Sequence, residues 1–203
     1  MLPAVAPPRE KPHLLRSMKD GDLRTTTDTT HPIRTAYSAS YFANTSTPSM
    51  RKPPLVARGA ADAGYATLFD PTPVAAAELA KIHPAAYVEN ILTGKGPLSH
   101  CAFGFWSEDC RDGVLAIDGG NLLAARMALE HGIAANVAQG FHHASSRNGG
   151  GFCTFNGLAL VAAMHPDLDI FVLDCDEHGG DGAQRFLMST THSRLLESVR
   201  FFF

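Results

Sequence analysis

The sequence predicts an α/β domain built on a mainly parallel sheet. Strand-like apolar runs alternate with helical stretches along the chain, the order expected where crossover helices join parallel strands. The run Ile170–Leu173 is four branched or aromatic residues bounded by polar and Gly residues, which suits a strand buried on both faces. The chain has 203 residues, 45% hydrophobic and 18% charged, enough for one domain with a real core.

The elements follow in order. Residues 1–33 are poor core material: Pro3, Pro7, Pro8 and Pro12, then the Thr-rich stretch Thr25–Thr30, read as a flexible leader. The domain then spans 34–203, opening with a strand at Arg34–Ser38 and a second at Gly64–Phe69. Asp70-Pro71-Thr72-Pro73 stops one element and starts the next. Thr72 can cap and Pro73 suits a first helical turn, so Val74–Lys81 is expected to be helical. His83-Pro84 opens a further helix that ends near Gly94, and His83 reads as a boundary residue. Residues 95–120, rich in Gly and aromatics, read as a long loop lining a site. A helix is expected from Asn121 to Gly132, then a short strand at Ile133–Val137. Gly157–Met164 is a helix stopped by His165-Pro166. After the strand at 170–173, Gly182–Met188 begins another helix.

Charge and cysteines narrow the class. The net charge is −3, with no basic block, which argues against nucleic acid as a partner. Cys101, Cys110, Cys153 and Cys175 show no C-x-x-C spacing and read as reduced thiols in a cytoplasmic protein. No apolar run approaches membrane-spanning length, and the N-terminus has no apolar signal core.

Two stretches carry chemistry. Past the strand at 170–173, the side chains become Asp174, Asp176 and His178. If the chain stays extended these share a face, where two carboxylates and an imidazole attract a divalent metal. The spacing alone leaves a solvated acidic turn equally open. Upstream, His142-His143 sits in a Gly-rich loop, where an imidazole pair can serve as general base, with Asp174 and Asp181 as orienting acceptors. Exposed loop histidines are the plain alternative. Gly149-Gly150-Gly151 permits close backbone approach to a ligand, and Phe152 is either a channel wall or ordinary core.

Taken together, Gly140-Phe141-His142-His143-Ala144, Gly151-Phe152-Cys153-Thr154-Phe155-Asn156 and Asp174-Cys175-Asp176-Glu177-His178-Gly179-Gly180-Asp181-Gly182 resemble the histone deacetylase family, including the acetylpolyamine amidohydrolases. The resemblance covers roughly residues 34–190, and Thr47–Pro53 is similar to a loop of its bacterial members. His83 to Val88 resemble a His-x-x-x-Tyr-Val segment that supports the family's fold, against the preferred reading of His83 as a boundary residue. It implies a three-layer arginase/deacetylase-type α/β fold with a central parallel sheet. It implies Zn2+ held by Asp176 and His178, and a catalytic pair His142 and His143, with His143 the base. Asp174 would orient His142, and Asp181 would orient His143. A structural K+ or Na+ would sit among Asp174, Asp176 and His178, with Gly151 and Phe152 lining an acyl-lysine channel.

Two departures stand out. Gly179 replaces a His or Gln usual in the family. The family's third zinc ligand, an Asp, and its Tyr in a Gly-Gly-Tyr segment have no counterpart before Phe203, so the chain reads as a domain truncated at its C-terminus. The implied reaction is zinc-dependent hydrolysis of an N-acyl group from lysine, a polyamine or a related amine, impaired by those losses. The rivals are a non-catalytic binding module and an arginase-like ureohydrolase with two manganese ions, for which no extra ligand cluster is visible. The expected partner is the acylated amine, with neither nucleic acid nor membrane. Absent strands would leave an open sheet edge, and with it a tendency to homo-oligomerise.

Overall fold

The structure, a computed structural model, describes residues 31–41, 48–100, 102–168, 170–188 and 199–202. Residues 1–30 of the expected 1–33 leader lie outside them, and its last residue, Ile33, belongs instead to the first strand. Strand β1 (Ile33–Ala36) is the middle of a three-stranded sheet, paired in parallel with β2 (Ala66–Phe69) on one side and β3 (Ala135–Asn136) on the other. Register runs from Ile33 opposite Ala66 to Ala36 opposite both Phe69 and Asn136. The parallel α/β class is therefore observed.

Between β1 and β2 lies helix α1 (Pro53–Asp62), which begins at the last residue of the Thr47–Pro53 stretch. Two prolines open it, at positions whose N–H groups need no intrahelical partner. The expected helix at Val74–Lys81 shrinks to α2 (Ala76–Leu79). Thr72 is not its cap: Ala75 N–H donates to Glu78 Oε2 at 2.8 Å instead. Helix α3 (Ala85–Thr93) ends at Gly94, whose φ of 71° only glycine adopts without strain.

The largest correction concerns residues 95–120. Helix α4 runs from Glu108 to His131, capped by Ser107 Oγ accepting from Cys110 N–H. It thus begins thirteen positions before the expected Asn121. The misreading came from Gly113, Gly119 and Gly120, which look like loop punctuation. Gly119 and Gly120 are packing residues. A Cβ on Gly119 would sit 2.0 Å from the carbonyl oxygen of Thr72, and one on Gly120 would sit 1.8 Å from the Tyr41 hydroxyl. Their missing side chains let α4 press against its neighbours, including β1, β3 and α5 (Gly157–Met164). The core gathers there, around Tyr41, Val114, Ile117, Phe141, Phe155 and Leu160.

A polar thread runs through this core. Tyr41 OH donates to Asn136 Oδ1, and Asn136 Nδ2 donates to Asn121 Oδ1, both at 2.8 Å. Asn121 Nδ2 reaches Asp118 Oδ1 at 3.3 Å. Asp118 is fully buried, and burial lifts its carboxyl well above the usual range, against a smaller pull from Asn121.

Strand β4 (Ile170–Leu173) pairs in parallel with β5 (Val199–Phe202) in a separate two-stranded sheet. The expectation of burial on both faces fails: Phe171 and Leu173 are 56% and 66% exposed, while Ile170 and Val172 pack on the core. Helix α6 (Asp181–Met188) follows. Among the described residues no helix is long and apolar enough to cross a membrane.

Candidate active site

The loop after β3 brings the two histidines to the end of β4. Asn156 N-caps α5 through Ala159 N–H, and Gly157 N–H donates to Gly140 O at 3.1 Å, so the loop is tied to the helix start. Phe141, buried just before the pair, has φ of 56°, a left-handed conformation that costs about 1–3 kcal/mol in a non-glycine residue. Nothing in the sequence pattern signals it.

The rings of His142 and His143 lie 4.1 Å apart, centroid to centroid. Each donates its Nδ1–H to its own carboxylate: His142 to Asp174 Oδ2 at 2.7 Å, His143 to Asp181 Oδ1 at 2.5 Å. Asp174 comes from the end of β4 and Asp181 from the first turn of α6.

Asp174, Asp176 and His178 come together by a different route from the one the alternation suggests. The chain turns after β4 instead of staying extended. Asp174 Oδ1 accepts from Asp176 N–H at 3.0 Å, and Asp176 Oδ1 accepts from His178 N–H at 2.9 Å. These are aspartate-to-backbone turns, one after the other. They leave His178 Nδ1 at 3.0 Å from Asp176 Oδ1, His142 Nε2 at 3.9 Å from the same oxygen, and the His178 ring 5.7 Å from that of His143.

These contacts set the protonation states. Burial pushes Asp174 up, but the bonds from His142 and Asp176 N–H outweigh it and hold its carboxyl below the usual range. For Asp176, the bonds from the His178 backbone and ring lower it. For Asp181, the bond from His143 dominates and lowers it despite partial burial. Burial pushes the Cys153 thiol beside the pair up to about 12, so it stays neutral.

A cleft of about 590 Å³ opens over these groups, with Gly151 and Phe152 on its wall. Gly151 has φ of 53°, and a Cβ there would lie 2.5 Å from His143 Cδ2, so the imidazole rests on bare backbone. Phe152 is 47% exposed and stands 6.0 Å from Phe103, a wall and not core.

Sequence reasoning missed the support from Gly182 and set aside the one from His83. Gly182 lets α6 dock: its Cβ would meet the carbonyl carbon of His143 at 2.1 Å. His83, taken as a helix-boundary residue, is 2% exposed and bonded into the same loop. The position of Asn156 before the apolar run 157–164 was a legible cap signal.

The family model for the histone deacetylase domain matches residues 48–199. The chain belongs to the histone deacetylase family. It is 40% identical over 68 residues to histone deacetylase 2 of Arabidopsis thaliana, an overlap of 32% of this chain and 18% of that one. It is 36% identical over 80 residues to histone deacetylase clr6 of Schizosaccharomyces pombe, covering 37% and 20%. An uncharacterized protein of Picosynechococcus sp. is 38% identical over 102 residues, covering 48% and 33%. The chain thus spans a third or less of these relatives' lengths. The crystal structure of the HDA15 HD domain superposes with a TM-score of 0.67 at 18% identity, covering 84% of this chain and 53% of that one, which establishes the deacetylase fold.

Proposed function

We propose that this histone deacetylase-family chain hydrolyses the amide of an N-acylated amine, an acetyl-lysine peptide or an acetylpolyamine, with His143 as general base. The observation that carries this is the pair of imidazole–carboxylate couples side by side at the cleft. With Nδ1–H given to a carboxylate, each imidazole keeps its lone pair on Nε2, the atom that can take a proton from an attacking water. The carboxylate then holds the imidazolium in place. The two couples differ in access. The Asp174 side chain is 9% exposed and that of Asp181 46%, so the His143 couple exchanges protons with solvent more readily. That supports His143 as base and leaves His142 to shape the field beside it. The wall of Gly151 and Phe152 suits a slender apolar acyl chain.

Asp176 and His178 fit a zinc ion at two corners. Two ligands of a tetrahedral zinc lie roughly 3.3 Å apart, and Asp176 Oδ1 and His178 Nδ1 are 3.0 Å apart; the ion would take the place of the proton these two atoms share. Among the described residues, no third His, Cys, Asp or Glu joins them. The ion would act as a Lewis acid towards the amide carbonyl. The K+ or Na+ implied at Asp174, Asp176 and His178 would have to share Asp174 with its two N–H donors.

The test uses purified 1–203 chain. Zinc titration by calorimetry is expected to give weak binding that Asp176→Ala and His178→Ala each remove. Acetyl-lysine peptide turnover is expected to be slow and lost in His143→Ala. Zinc binding indifferent to both substitutions, or turnover indifferent to His143→Ala, would refute the reading.

A further inference from the structure

We propose that His83 is a positioning residue: its ring, held in one tautomer by two backbone groups of opposite polarity, sets the place of the loop that carries His142 and His143. Nδ1 lies 3.0 Å from the carbonyl oxygen of Ser146, three residues beyond the pair. A carbonyl only accepts, so Nδ1 carries the hydrogen. Nε2 lies 3.2 Å from Asn156 N–H, which only donates, so Nε2 carries the lone pair. Assigning a histidine tautomer is ordinarily a choice about movable partners. These two groups are main chain and cannot exchange roles, and the Nδ1–H form is the one that satisfies both.

The second bond passes the restraint on. Asn156 Nδ2 donates to Ala144 O at 2.8 Å and reaches His142 O at 3.5 Å, while Asn156 Oδ1 caps α5. His83 and Asn156 thus hold the carbonyls of residues 142, 144 and 146 from one side. On the other side Ala183 N–H donates to His142 O at 2.8 Å, and Asp181 takes His143. The loop is gripped between the start of α3 and the start of α6. His83 is held in place because its ring meets Tyr87 edge-on and Phe155 at a tilt, with ring centroids 5.5 and 5.3 Å away. Through these bonds its effect reaches the pair by way of the loop backbone. The catalytic consequence rests on the function proposed above, but the tautomer and the restraint are measured without substrate or metal.

The experiment is nitrogen-15 NMR of the imidazoles in labelled 1–203 chain, with hydrogen exchange of the 142–146 segment. His83 is expected to show the Nδ1–H tautomer alone. His83→Phe, which keeps a ring and removes both bonds, is expected to shift the His142 and His143 ring signals and speed exchange in the loop by roughly tenfold, the worth of one hydrogen bond or a little more. His83→Asn places an amide near Nδ1 and is expected to restore part of both. A His83 found as the Nε2–H tautomer or as a mixture overturns the proposal, and that measurement needs no variant to fold. So does a folded His83→Phe chain with unmoved ring signals and unchanged exchange. Absent turnover or zinc binding would sink the proposed function and leave these readouts intact.

Discussion

Gly182→Ala tests how α6 delivers Asp181 to His143. The new Cβ would stand 2.1 Å from the His143 carbonyl carbon, 2.2 Å from its oxygen and 2.5 Å from the His142 oxygen, all main-chain atoms that no rotamer change can clear. Ordinary contact begins near 3.4 Å, so the helix start must retreat by about 1.3 Å. The bond from Ala183 N–H to His142 O, now 2.8 Å, would then exceed hydrogen-bond range. Losing it costs about 1 kcal/mol. Weakening the couple to half-exposed Asp181 costs up to about 1 kcal/mol more. Added helix propensity returns less than ~1 kcal/mol, since position 182 lies in the first turn. The net is a destabilisation of up to about 2 kcal/mol, together with a displaced Asp181 and a His143 ring no longer fixed by it. The control is Gly59→Ala within α1, where a Cβ meets nothing within 4 Å, and a gain of about 0.5–1 kcal/mol is expected. Urea unfolding followed by the single tryptophan, Trp106, whose indole is anchored on Ile91 O, reads both. A Gly182→Ala chain as stable as wild type, or a Gly59→Ala chain that loses as much, would refute the reasoning.

Three further outcomes are expected. Burial raises Asp118, so the folded chain keeps a proton that the unfolded chain has released above roughly pH 4; its share of stability is full below that point and lost as pH rises towards the folded value. Asp118→Asn should therefore raise the urea midpoint at pH 7 and flatten its fall from pH 5 to 8, and a lower midpoint at every pH would count against it. Asp174 runs the other way: its lowered carboxyl contributes stability above the usual carboxylate pKa, lost as pH falls through the folded value. Asp174→Asn should show a weaker acid-side loss and a displaced His142 ring signal by NMR, and an unchanged acid limb would contradict the pairing. Gly119→Ala should lower Tm by several degrees, because the overlap with Thr72 O costs about 1–3 kcal/mol and exceeds the helix-propensity gain of at most ~1 kcal/mol; an unchanged Tm would mean that α4 is not packed as described.

The class of the fold, most of its strands and the residues that meet at the cleft were legible in the sequence, because they depend on local pattern. Apolar runs mark β4 and most of β2. Asn156 before an apolar octet marks a capped helix, and Gly94 marks a helix end. The stretches 140–144, 151–156 and 174–182 name their chemistry by residue type and order. What the tertiary structure decided depends on what lies across the gap from a residue. Gly119 and Gly120 look like loop until Thr72 and Tyr41 stand against them, and only then is α4 a helix from Glu108. Asp174, Asp176 and His178 converge through two side-chain-to-backbone turns and not through strand alternation. The pairing of each histidine with one aspartate spans 32 and 38 residues of chain. His83 reads locally as a helix boundary, and its role rests on two backbone partners 63 and 73 residues away. Sequence pattern reports periodicity and propensity, which act over a few residues; the partners of a buried polar group are chosen by packing, which acts across the whole chain.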